Sequence, residues 1–530
     1  MLVFVWYVLI FYIFCFFFLF FLPYGKWSFN FGVWDFLNFT LNFNFDVFIF
    51  LFVLFFISFM VFLYGSFYMT NVIRLLYFFL VLFSFVLSMG GLVIFSGSVF
   101  LTLVFWDFLG ISSFFLVLFY NNMISRSGSM STVFTNRIGD FCIFIFFNGL
   151  FLCSSSYLNY QFFYSLVVFM FFLSAFIKGG QYPFGSWLPK AMAAPTPVSC
   201  LVHSSTLVAA GVMLMDFYFY VSVNYSSLVF IFFVGYFTMM FSSFCGLFEQ
   251  DVKKLVALST MSQMGFCFMS IGCGLHYVSF LHLISHSFFK SLLFTQVGYL
   301  IYFNMGMQDR RGYSLGNFCF PFFCRFQILF CLFNLCGLIF TSGFFSKDYI
   351  ISSFYYYSYN FFLFFFYFLG IFLTFCYCYR MFSVFFISNY SVNFFYGMNF
   401  YYYLSTFFLF FFSLFFIYYI LNNYFLFFIF FSYFEYLFWL FYIFFLLMFL
   451  KFFFNYIFFE FKYKFFMDVY SYLVYKLFPN LKYFDYFVFS FNYFIFSLFN
   501  FLFFVFFSFT RGIFPFSFFL CFFLIFFLFF

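Results

Sequence analysis

The sequence predicts an all-α polytopic membrane protein. Of its 530 residues, 68% are hydrophobic and only 6% are charged, whereas a soluble protein needs a much larger charged fraction to cover its surface. Apolar stretches of about 20 residues, long enough to cross a bilayer, recur from end to end. They are apolar on every face, so they lack the alternation of polar and apolar residues that is typical of an outer-membrane barrel.

These apolar stretches predict about 14–16 transmembrane helices, at ~20 residues for each span. The first stretch is not expected to be a cleaved signal peptide, because it lacks a basic start and a small-residue cleavage site. The predicted cores lie near residues 2–22, 46–64, 73–90, 94–119, 138–153, 163–181, 198–220, 228–247, 255–273, 278–302, 319–340, 349–368, 370–388, 403–421, 425–449 and 513–530.

Composition divides the chain into five segments. The second holds most of the glycine, serine, proline and buried charge, and the fourth is dense enough in charged residues to predict a long, lateral, interfacial amphipathic helix. The segments are N-terminal transmembrane helices at 1–95 with a polar interruption near 23–45, a core at 96–350, C-terminal transmembrane helices at 351–450, the lateral helix at 451–511, and a terminal anchor helix at 512–530.

Several classes of function find no support in the composition. The net charge of +7 is spread thinly along the chain, so the basic patch of a nucleic-acid-binding protein is absent. The 14 cysteines include no CxxC pair, which leaves zinc, iron–sulfur and disulfide frameworks without a signal. A dinucleotide-binding fingerprint and a P-loop are also missing. The 137 phenylalanines and 46 tyrosines are residues with T-rich codons, which is typical of a biased organelle genome.

The most informative residues are cations in apolar surroundings. Lys178, Lys290 and Lys347 each lie in a strongly apolar stretch, and Lys190 falls in a proline-rich segment that is expected to be nearer water. A lysine at the centre of a bilayer costs about 2.5–3.5 kcal/mol on insertion scales. Such residues normally face a helix bundle or a water-filled path, and they indicate an ion or proton route.

A proline-rich segment at 181–199 predicts a broken helix next to these cations. Four of the eight prolines lie between residues 183 and 197, with Lys178 before them and His203 after them. Proline removes a backbone donor and clashes with the preceding turn, so one regular helix is excluded. Broken helices in membranes occur where protein or water satisfies the freed backbone, often at ion sites of transporters. A plain loop between two helices is the alternative.

His282, His286 and Lys290 are spaced four residues apart in an apolar stretch. On a helix this spacing stacks the three side chains along one face. Three titratable groups in a row have the form of a proton relay. The alternative is that each histidine only satisfies carbonyl groups of neighbouring helices, which is favoured for an isolated histidine but not for the stack.

Two carboxylates are candidates for pairing with the buried lysines. Asp107 lies inside an apolar span, where a carboxylate needs a partner, and Lys178 is the natural candidate. Asp140 is a second candidate acid, although Arg137 lies three residues before it and permits a local, structural pair.

Other charged residues mark helix ends. Lys347 and Asp348 follow a glycine- and serine-containing segment, which predicts a second weakened helix. Asp251, Lys253 and Lys254 precede an apolar run. Lys254 is a secondary candidate for the relay, and capping of that helix at the membrane surface is the alternative.

At these residues the chain resembles the antiporter-like membrane subunits of respiratory complex I, in particular those encoded by mitochondrial DNA. The resemblance covers about residues 100–350, and its specificity comes from several blocks in the right order. The motifs are AFIKGGQ at 175–181, WLP at 187–189, AMAAPTPVS at 191–199, HSST at 203–206, DVKKLVALSTMSQ at 251–263, HLISHSFFKSLLF at 282–294 and GFFSKD at 343–348.

The resemblance implies roles for residues at matching positions. The family's glutamate–lysine pair would be Asp107 and Lys178, with an aspartate one methylene shorter than the usual glutamate, and its distal lysine would be Lys347. Its central relay would be His203, His286 and Lys290, with His282 beside them. Secondary candidates are Asp140, Lys254 and Asp348. The short region ahead of Asp107 leads us to expect that the family's first span is missing here, and helix numbers are therefore not carried over.

The resemblance also implies a fold and a function. It implies inverted repeats with broken helices in the core and a lateral helix with a terminal anchor. The implied function is proton translocation in the mitochondrial inner membrane, driven by NADH oxidation and quinone reduction in partner subunits. This chain would bind no cofactor itself, whereas NADH, FMN, iron–sulfur clusters and ubiquinone would bind to partner subunits. Partners would be the other subunits of the complex, above all the neighbouring antiporter-like ones, and membrane lipid, with no nucleic acid.

Two other functions remain open at this point. A multisubunit cation/proton antiporter of the bacterial type shares these motifs, but the lateral-helix-like tail and the T-biased composition count against it. A membrane scaffold without an ion path would have to explain three lysines and a histidine stack in separate apolar spans, which is energetically costly.

Overall fold

The computed structural model describes residues 27–31, 39–43, 45–69, 75–155, 161–219, 224–304, 306–309, 321–337, 341–347, 350, 361–386 and 399–424. Within these residues the chain is almost entirely helical, and seven helical stretches are long and apolar enough to cross a membrane. The predicted all-α membrane class is therefore confirmed. Predicted spans 2–22, 425–449 and 513–530 and the lateral helix at 451–511 lie outside the described residues, so the count of 14–16 spans stays a prediction.

The described elements are two short strands followed by a series of helices. The elements are β1 (Trp27–Phe31), β2 (Phe39–Phe43), α1 (Phe45–Tyr68), α2 (Leu75–Ile94), α3 (Val99–Val117), α4 (Met123–Ser155), α5 (Gln161–Lys178), α6 (Trp187–Ala191), α7 (Thr196–Leu201), α8 (Leu207–Phe217), α9 (Tyr225–Phe248), α10 (Val252–Gly272), α11 (His276–Phe303), α12 (Phe322–Cys336), α13 (Phe361–Phe386) and α14 (Phe400–Tyr424). The predicted spans at 46–64, 228–247 and 278–302 agree with α1, α9 and α11 to within about one helical turn.

The polar interruption predicted near residues 23–45 contains a short antiparallel hairpin. β1 pairs with β2 in a register that places Trp27 opposite Phe43 and Phe31 opposite Phe39. Aromatic residues and Leu41 alternate with Ser, Asn and Thr along the two strands, which is the period of two expected for a strand with two different faces. This hairpin is the one departure from helix among the named elements of the described residues.

Helix α4 begins well before the span predicted at 138–153. The added turns are rich in serine and threonine, which usually favour caps and turns over helix interiors. Here their hydroxyls donate to carbonyls three or four residues earlier, as Ser129 does to Arg126 and Thr135 to Ser131. The helix backbone therefore satisfies these hydroxyl groups, and hydropathy alone could not detect these turns.

The centre of the bundle is formed by α10 and α11. Nearly every side chain of both helices is buried, and α9 packs closely against α10. A Cβ at Gly235 would lie 2.6 Å from the Met269 nitrogen, so the two backbones approach at a distance that only glycine allows. The polar residues of α10 and α11 are consequently enclosed by protein rather than by lipid.

The break predicted from the four prolines is present between α5 and α8. Helix α5 ends at Lys178, and Gly180 has a φ of 65° that ends the helix in the left-handed region. Two short helices and a π-helical turn at 202–206 then lead into α8. A second break follows α12, where Gly337 has a φ of 73° and a short helical stretch at 342–347 carries Lys347.

Candidate functional site

Lys178 lies at the end of α5 with its side chain completely buried. Its Nζ donates a hydrogen bond to the Trp106 carbonyl oxygen at 3.2 Å and lies 4.3 Å from the centre of the Trp106 ring. Asp140 Oδ1 is 3.9 Å from the same nitrogen. Lys178 is therefore held by a carbonyl, an aromatic face and a buried carboxylate, all of which stabilise a cation.

Among the described residues Asp140, the second candidate acid, is the carboxylate that pairs with Lys178, and Asp107 interacts with Lys178 from a greater distance. Arg137 lies between the two acids, with its guanidinium 3.3 Å from Asp107 Oδ1 and 3.3 Å from Asp140 Oδ2. Asp140 is almost fully buried, whereas about a third of the Asp107 side chain is exposed. The order of the charged groups is thus Asp107, Arg137, Asp140 and Lys178.

The helix geometry explains this order. Arg137 and Asp140 are three residues apart on α4, a spacing that places both side chains on one face. Asp107 follows Trp106 on α3, and it is the Trp106 carbonyl oxygen that accepts a hydrogen bond from the Lys178 amine. The end of α5 packs directly against α8, because a Cβ at Gly211 would lie only 2.6 Å from the Gly179 nitrogen. Lys178 therefore reaches the α4 acid more directly than the α3 acid.

His203 lies in the π-helical turn that follows the proline-rich break. The ring is completely buried, and neither of its nitrogens has a hydrogen-bond partner among the described residues. Trp187 lies against it with ring centres 6.1 Å apart, and the Trp187 indole N–H donates to the Ile177 carbonyl at 3.1 Å. Trp187 thus lies between His203 and the residue preceding Lys178. π-helical turns are frequent at functional sites.

Lys253, rather than the predicted Lys254, is the buried lysine at the start of α10. Lys253 is 1% exposed and donates to the Ala194 carbonyl inside the break. It is also near enough to His203 for their charges to interact. Lys254 is 40% exposed and pairs with Asp251 three residues earlier, which is the capping role weighed as the alternative from the sequence.

His282 joins three helical segments through hydrogen bonds. Its Nδ1 lies 2.8 Å from Ser346 Oγ, and its Nε2 lies 3.1 Å from Gln263 Oε1. The Gln263 amide in turn donates to the Tyr377 hydroxyl at 2.8 Å. The buried chain Tyr377–Gln263–His282–Ser346 therefore connects α13, α10 and α11 to the residue next to Lys347.

His286 and Lys290 continue the buried row along α11. Both side chains are completely buried, so the predicted stack of His282, His286 and Lys290 lies inside the bundle. Lys290 donates to the Ser259 hydroxyl of α10. His286 interacts electrostatically with both His282 and Lys290, and it lies beside the backbone of Ser204, the residue after His203.

Lys347 lies in the second break and is 1% exposed. Its amine donates to the Leu335 carbonyl at 2.5 Å and lies 5.8 Å from the centre of the Phe266 ring. Charges on Lys347 and Lys290 interact with one another. Asp348 lies outside the described residues.

The structure thus places the site residues in two groups. The acidic group contains Asp107, Arg137, Asp140 and Lys178, and the central group contains His203, Lys253, His282, His286, Lys290 and Lys347. Among the described residues no ion pair joins the groups, and Trp187 lies between them. The described residues also contain no cluster of three or more His, Cys, Asp or Glu side chains that could hold a metal ion.

Four residues of this site were missed from the sequence: Lys253, Ser259, Gln263 and Tyr377. A signal existed for Lys253, because Lys254 has an acidic partner three residues earlier and Lys253 does not. No signal existed for Gln263 or Tyr377, since their roles depend on the packing of α10 against α13. Polar residues in apolar helices are common, and only tertiary contacts distinguish those that join a network.

A family match and two similar proteins point to the same family. Residues 96–374 match the transmembrane family described as NADH:quinone oxidoreductase/Mrp antiporter. The chain is 44% identical to NADH-ubiquinone oxidoreductase chain 5 of Ascaris suum, over 78% of this chain and 76% of that protein. It is 41% identical to the protein of the same name from Caenorhabditis elegans, over 87% of each chain.

Two solved structures have a similar fold. One is a Mrp complex from Dietzia sp., with a TM-score of 0.59 and 23% identity over 68% of this chain and 42% of that chain. The other is a membrane-bound sulfane sulfur reductase, an archaeal respiratory membrane complex, with a TM-score of 0.64 and 17% identity over 74% of this chain and 84% of that chain. At these identities the similarity concerns the fold.

Proposed function

The chain belongs to the NADH-ubiquinone oxidoreductase chain 5 family, and we propose that it is a proton-translocating membrane-arm subunit of NADH:ubiquinone oxidoreductase. The observation that supports this function is the row of buried cations and imidazoles in the core helices. Four lysines, Lys178, Lys253, Lys290 and Lys347, are each at most 1% exposed. Burying four amines costs several kcal/mol for each one that stays charged, an arrangement expected of an ion route rather than of a scaffold.

The proposed route begins in the acidic group. Asp140 lies between the Arg137 guanidinium at 3.3 Å and the Lys178 amine at 3.9 Å. A carboxylate near a lysine stabilises its charged form, and burial without a counter-charge favours the neutral amine. A small movement of Asp140 toward Arg137 therefore weakens the hold of Lys178 on its proton, and the opposite movement restores it.

The central group receives the released proton. His203 and Lys253 lie on the near side, and His286, Lys290 and Lys347 follow along α11 and the second break. Because their charges interact, these groups titrate as a set rather than singly. A proton that arrives at one end therefore favours the release of another at the far end.

The energy for this transport comes from partner subunits. Moving one charge against the membrane potential costs about 2.3 kcal/mol per 100 mV, and this chain has no nucleotide-binding motif or cluster ligands to supply it. We assign NADH oxidation, FMN, iron–sulfur clusters and ubiquinone reduction to partner subunits of the complex. The mitochondrial inner membrane is the corresponding location, with neighbouring antiporter-like subunits and lipid as contacts.

A second candidate function is that of a subunit in a multisubunit cation/proton antiporter. The family description that matches residues 96–374 covers both kinds of complex. A cation/proton antiporter must bind a cation other than the proton, which requires oxygen ligands. The titratable residues of the described central group are amines and imidazoles, and oxygens beside them, such as those of Ser259 and Gln263, already form hydrogen bonds with Lys290 and His282, which favours proton transport by the respiratory complex.

A native gel of gently solubilised membranes tests the assignment. The gel is stained for NADH dehydrogenase activity, and this chain is located by mass spectrometry of excised bands. We expect it in a very large band that oxidises NADH. Its presence in a smaller, inactive complex, with none in the active band, would support the antiporter function instead.

A further inference from the structure

Asp216 is a half-buried carboxylate that the proposed route does not use. It lies next to the last residue of α8, and its Oδ1 accepts a hydrogen bond from the Ser279 hydroxyl of α11 at 3.3 Å. Its Oδ2 is buried and has no hydrogen-bond partner among the described residues. A carboxylate oxygen without a partner is costly to bury, so a purely structural role explains Asp216 poorly.

Three helix ends meet at this carboxylate. The membrane-crossing stretch Asp46–Tyr68 begins at Asp46, the stretch Thr196–Phe217 ends one residue after Asp216, and α11 begins at His276. Asp46 is close enough to interact electrostatically with both Asp216 and His276. Because three helix ends lie together, Asp216 is at the boundary between the membrane and one aqueous phase.

Titratable groups on two neighbouring helices interact electrostatically with Asp216. They are Asp46 from α1 and Cys267 from α10, and His276 at the start of α11 interacts in turn with Asp46. His276 is partly exposed and stacks on Phe219 with ring centres 4.4 Å apart. The site therefore combines a half-buried carboxylate with a second carboxylate and an imidazole that reach toward the surface.

Ser279 connects this site to the central group. It lies three residues before His282 on α11, which is a rise of about 4.5 Å on the same side of the helix. Its single hydroxyl proton is shared between Asp216 Oδ1 at 3.3 Å and the His276 carbonyl at 2.5 Å. Through Ser279, Asp216 thus contacts the α11 face that carries His282, the first histidine of the buried row.

We propose that Asp216 is the residue through which the central group exchanges protons with the aqueous phase at the start of α11. This role rests on the proposed proton translocation. The carboxylate takes a proton from the aqueous side and becomes a carboxylic acid. It then gives that proton to the His282 end of the row and returns to the carboxylate, so that no net change occurs at Asp216.

The substitution Asp216→Asn separates this role from a structural one. An asparagine oxygen can still accept the Ser279 hydrogen bond, but the side chain cannot titrate. The intact complex is reconstituted in vesicles, and proton translocation is measured while the pH of each side is varied separately. We expect wild type and Asp216→Glu to depend on the pH of one side, and Asp216→Asn to lose that dependence with a several-fold slower proton flux.

Controls distinguish failure of this inference from failure of the proposed function. Asp309→Asn, a carboxylate six residues beyond the opposite end of α11, should behave as wild type. If Lys290→Met stops proton translocation while Asp216→Asn keeps full flux and the one-sided dependence, Asp216 is not the exchange residue. If the assembled Lys290→Met complex also pumps fully, the proposed function itself is wrong.

A measurement on the wild-type complex covers the case in which Asp216→Asn fails to assemble. A water-soluble carbodiimide with an amine nucleophile is added to one side of sealed vesicles, and modified carboxylates are mapped by mass spectrometry. We expect Asp216 to be modified from one side only. Absence of modification from both sides would overturn the proposal, because an exchange residue must reach water.

Discussion

Lys178 and Lys290 are equally buried, but only Lys178 has a carboxylate nearby. Asp140 lies 3.9 Å from the Lys178 amine, whereas the described partner of Lys290 is the hydroxyl of Ser259. Lys253 and Lys347 resemble Lys290, since both donate to backbone carbonyls. The acidic group therefore stabilises the charged form of Lys178 while Asp140 is near it, and the central group offers neutral partners that serve a charged and a neutral amine alike.

This difference explains how one chain can bind a proton firmly at one site and transfer protons at another. A buried ion pair is strongly destabilised when one partner is removed, because the other charge stays buried without compensation. A lysine with neutral partners has no such charge to leave behind. Changes in the acidic group are therefore expected to affect assembly, and changes in the central group are expected to affect proton flux.

The largest effect is expected from Asp140→Asn, with Asp107→Asn as its matched control. Asp140→Asn leaves Lys178 without its buried carboxylate, which should cost about 3–5 kcal/mol. Asp107 and Arg137 are both partly exposed, and such a pair contributes about 0–1 kcal/mol. The amount of assembled complex on a native gel measures the two effects. Greater loss from Asp107→Asn would show that the order of the acids is wrong.

The next effect concerns the two adjacent lysines of α10. The Lys253→Met complex should assemble, because the substitution removes a buried charge and leaves no other charge buried without a partner. It should slow proton translocation about tenfold, which is equivalent to about 1.4 kcal/mol. Lys254→Met should change flux little, since its ion pair with Asp251 is partly exposed and local to one helix end. Proton uptake per electron pair in vesicles distinguishes them. Equal effects from both substitutions would remove Lys253 from the route.

The smallest effect is expected from Tyr377→Phe. This change removes the hydroxyl that accepts from the Gln263 amide at 2.8 Å, leaving a buried donor unsatisfied at a cost of about 1 kcal/mol. Gln263 would then hold His282 less firmly. We expect a two- to fivefold lower proton flux with normal assembly. If flux is unchanged in Tyr377→Phe but reduced in His282→Ala, the functional part of the hydrogen-bonded chain ends at Gln263 and does not include Tyr377.

The sequence was sufficient for features that depend on local chemistry. The four prolines between 183 and 197 predicted the break, and the spacing of His282, His286 and Lys290 predicted a buried row on one helix face. These features follow from backbone donors and helix periodicity, which need no tertiary information. The start of α4 was missed, because hydroxyls that bond their own helix make a polar stretch look unlike a span.

Features that depend on helix rotation and packing could not be predicted. Whether Asp107 or Asp140 approaches Lys178 depends on how α3 and α4 are turned toward α5, and both acids are plausible from spacing alone. Lys253 was passed over for Lys254 because adjacent residues on a helix point about 100° apart, and only the position of the break decides which one is enclosed. The sequence thus supplied a short set of candidate residues, and only tertiary contacts showed which of them form the site.

The most direct test of proton translocation by the central group is the number of protons moved per NADH oxidised by the Lys290→Met complex in sealed vesicles. Lys190→Met is the matched control, because this lysine is only partly buried and lies in the same chain outside both groups. We predict that Lys290→Met assembles, that the control keeps the wild-type ratio, and that the Lys290→Met ratio falls. A wild-type ratio in an assembled Lys290→Met complex would contradict a role of the central group in proton transport.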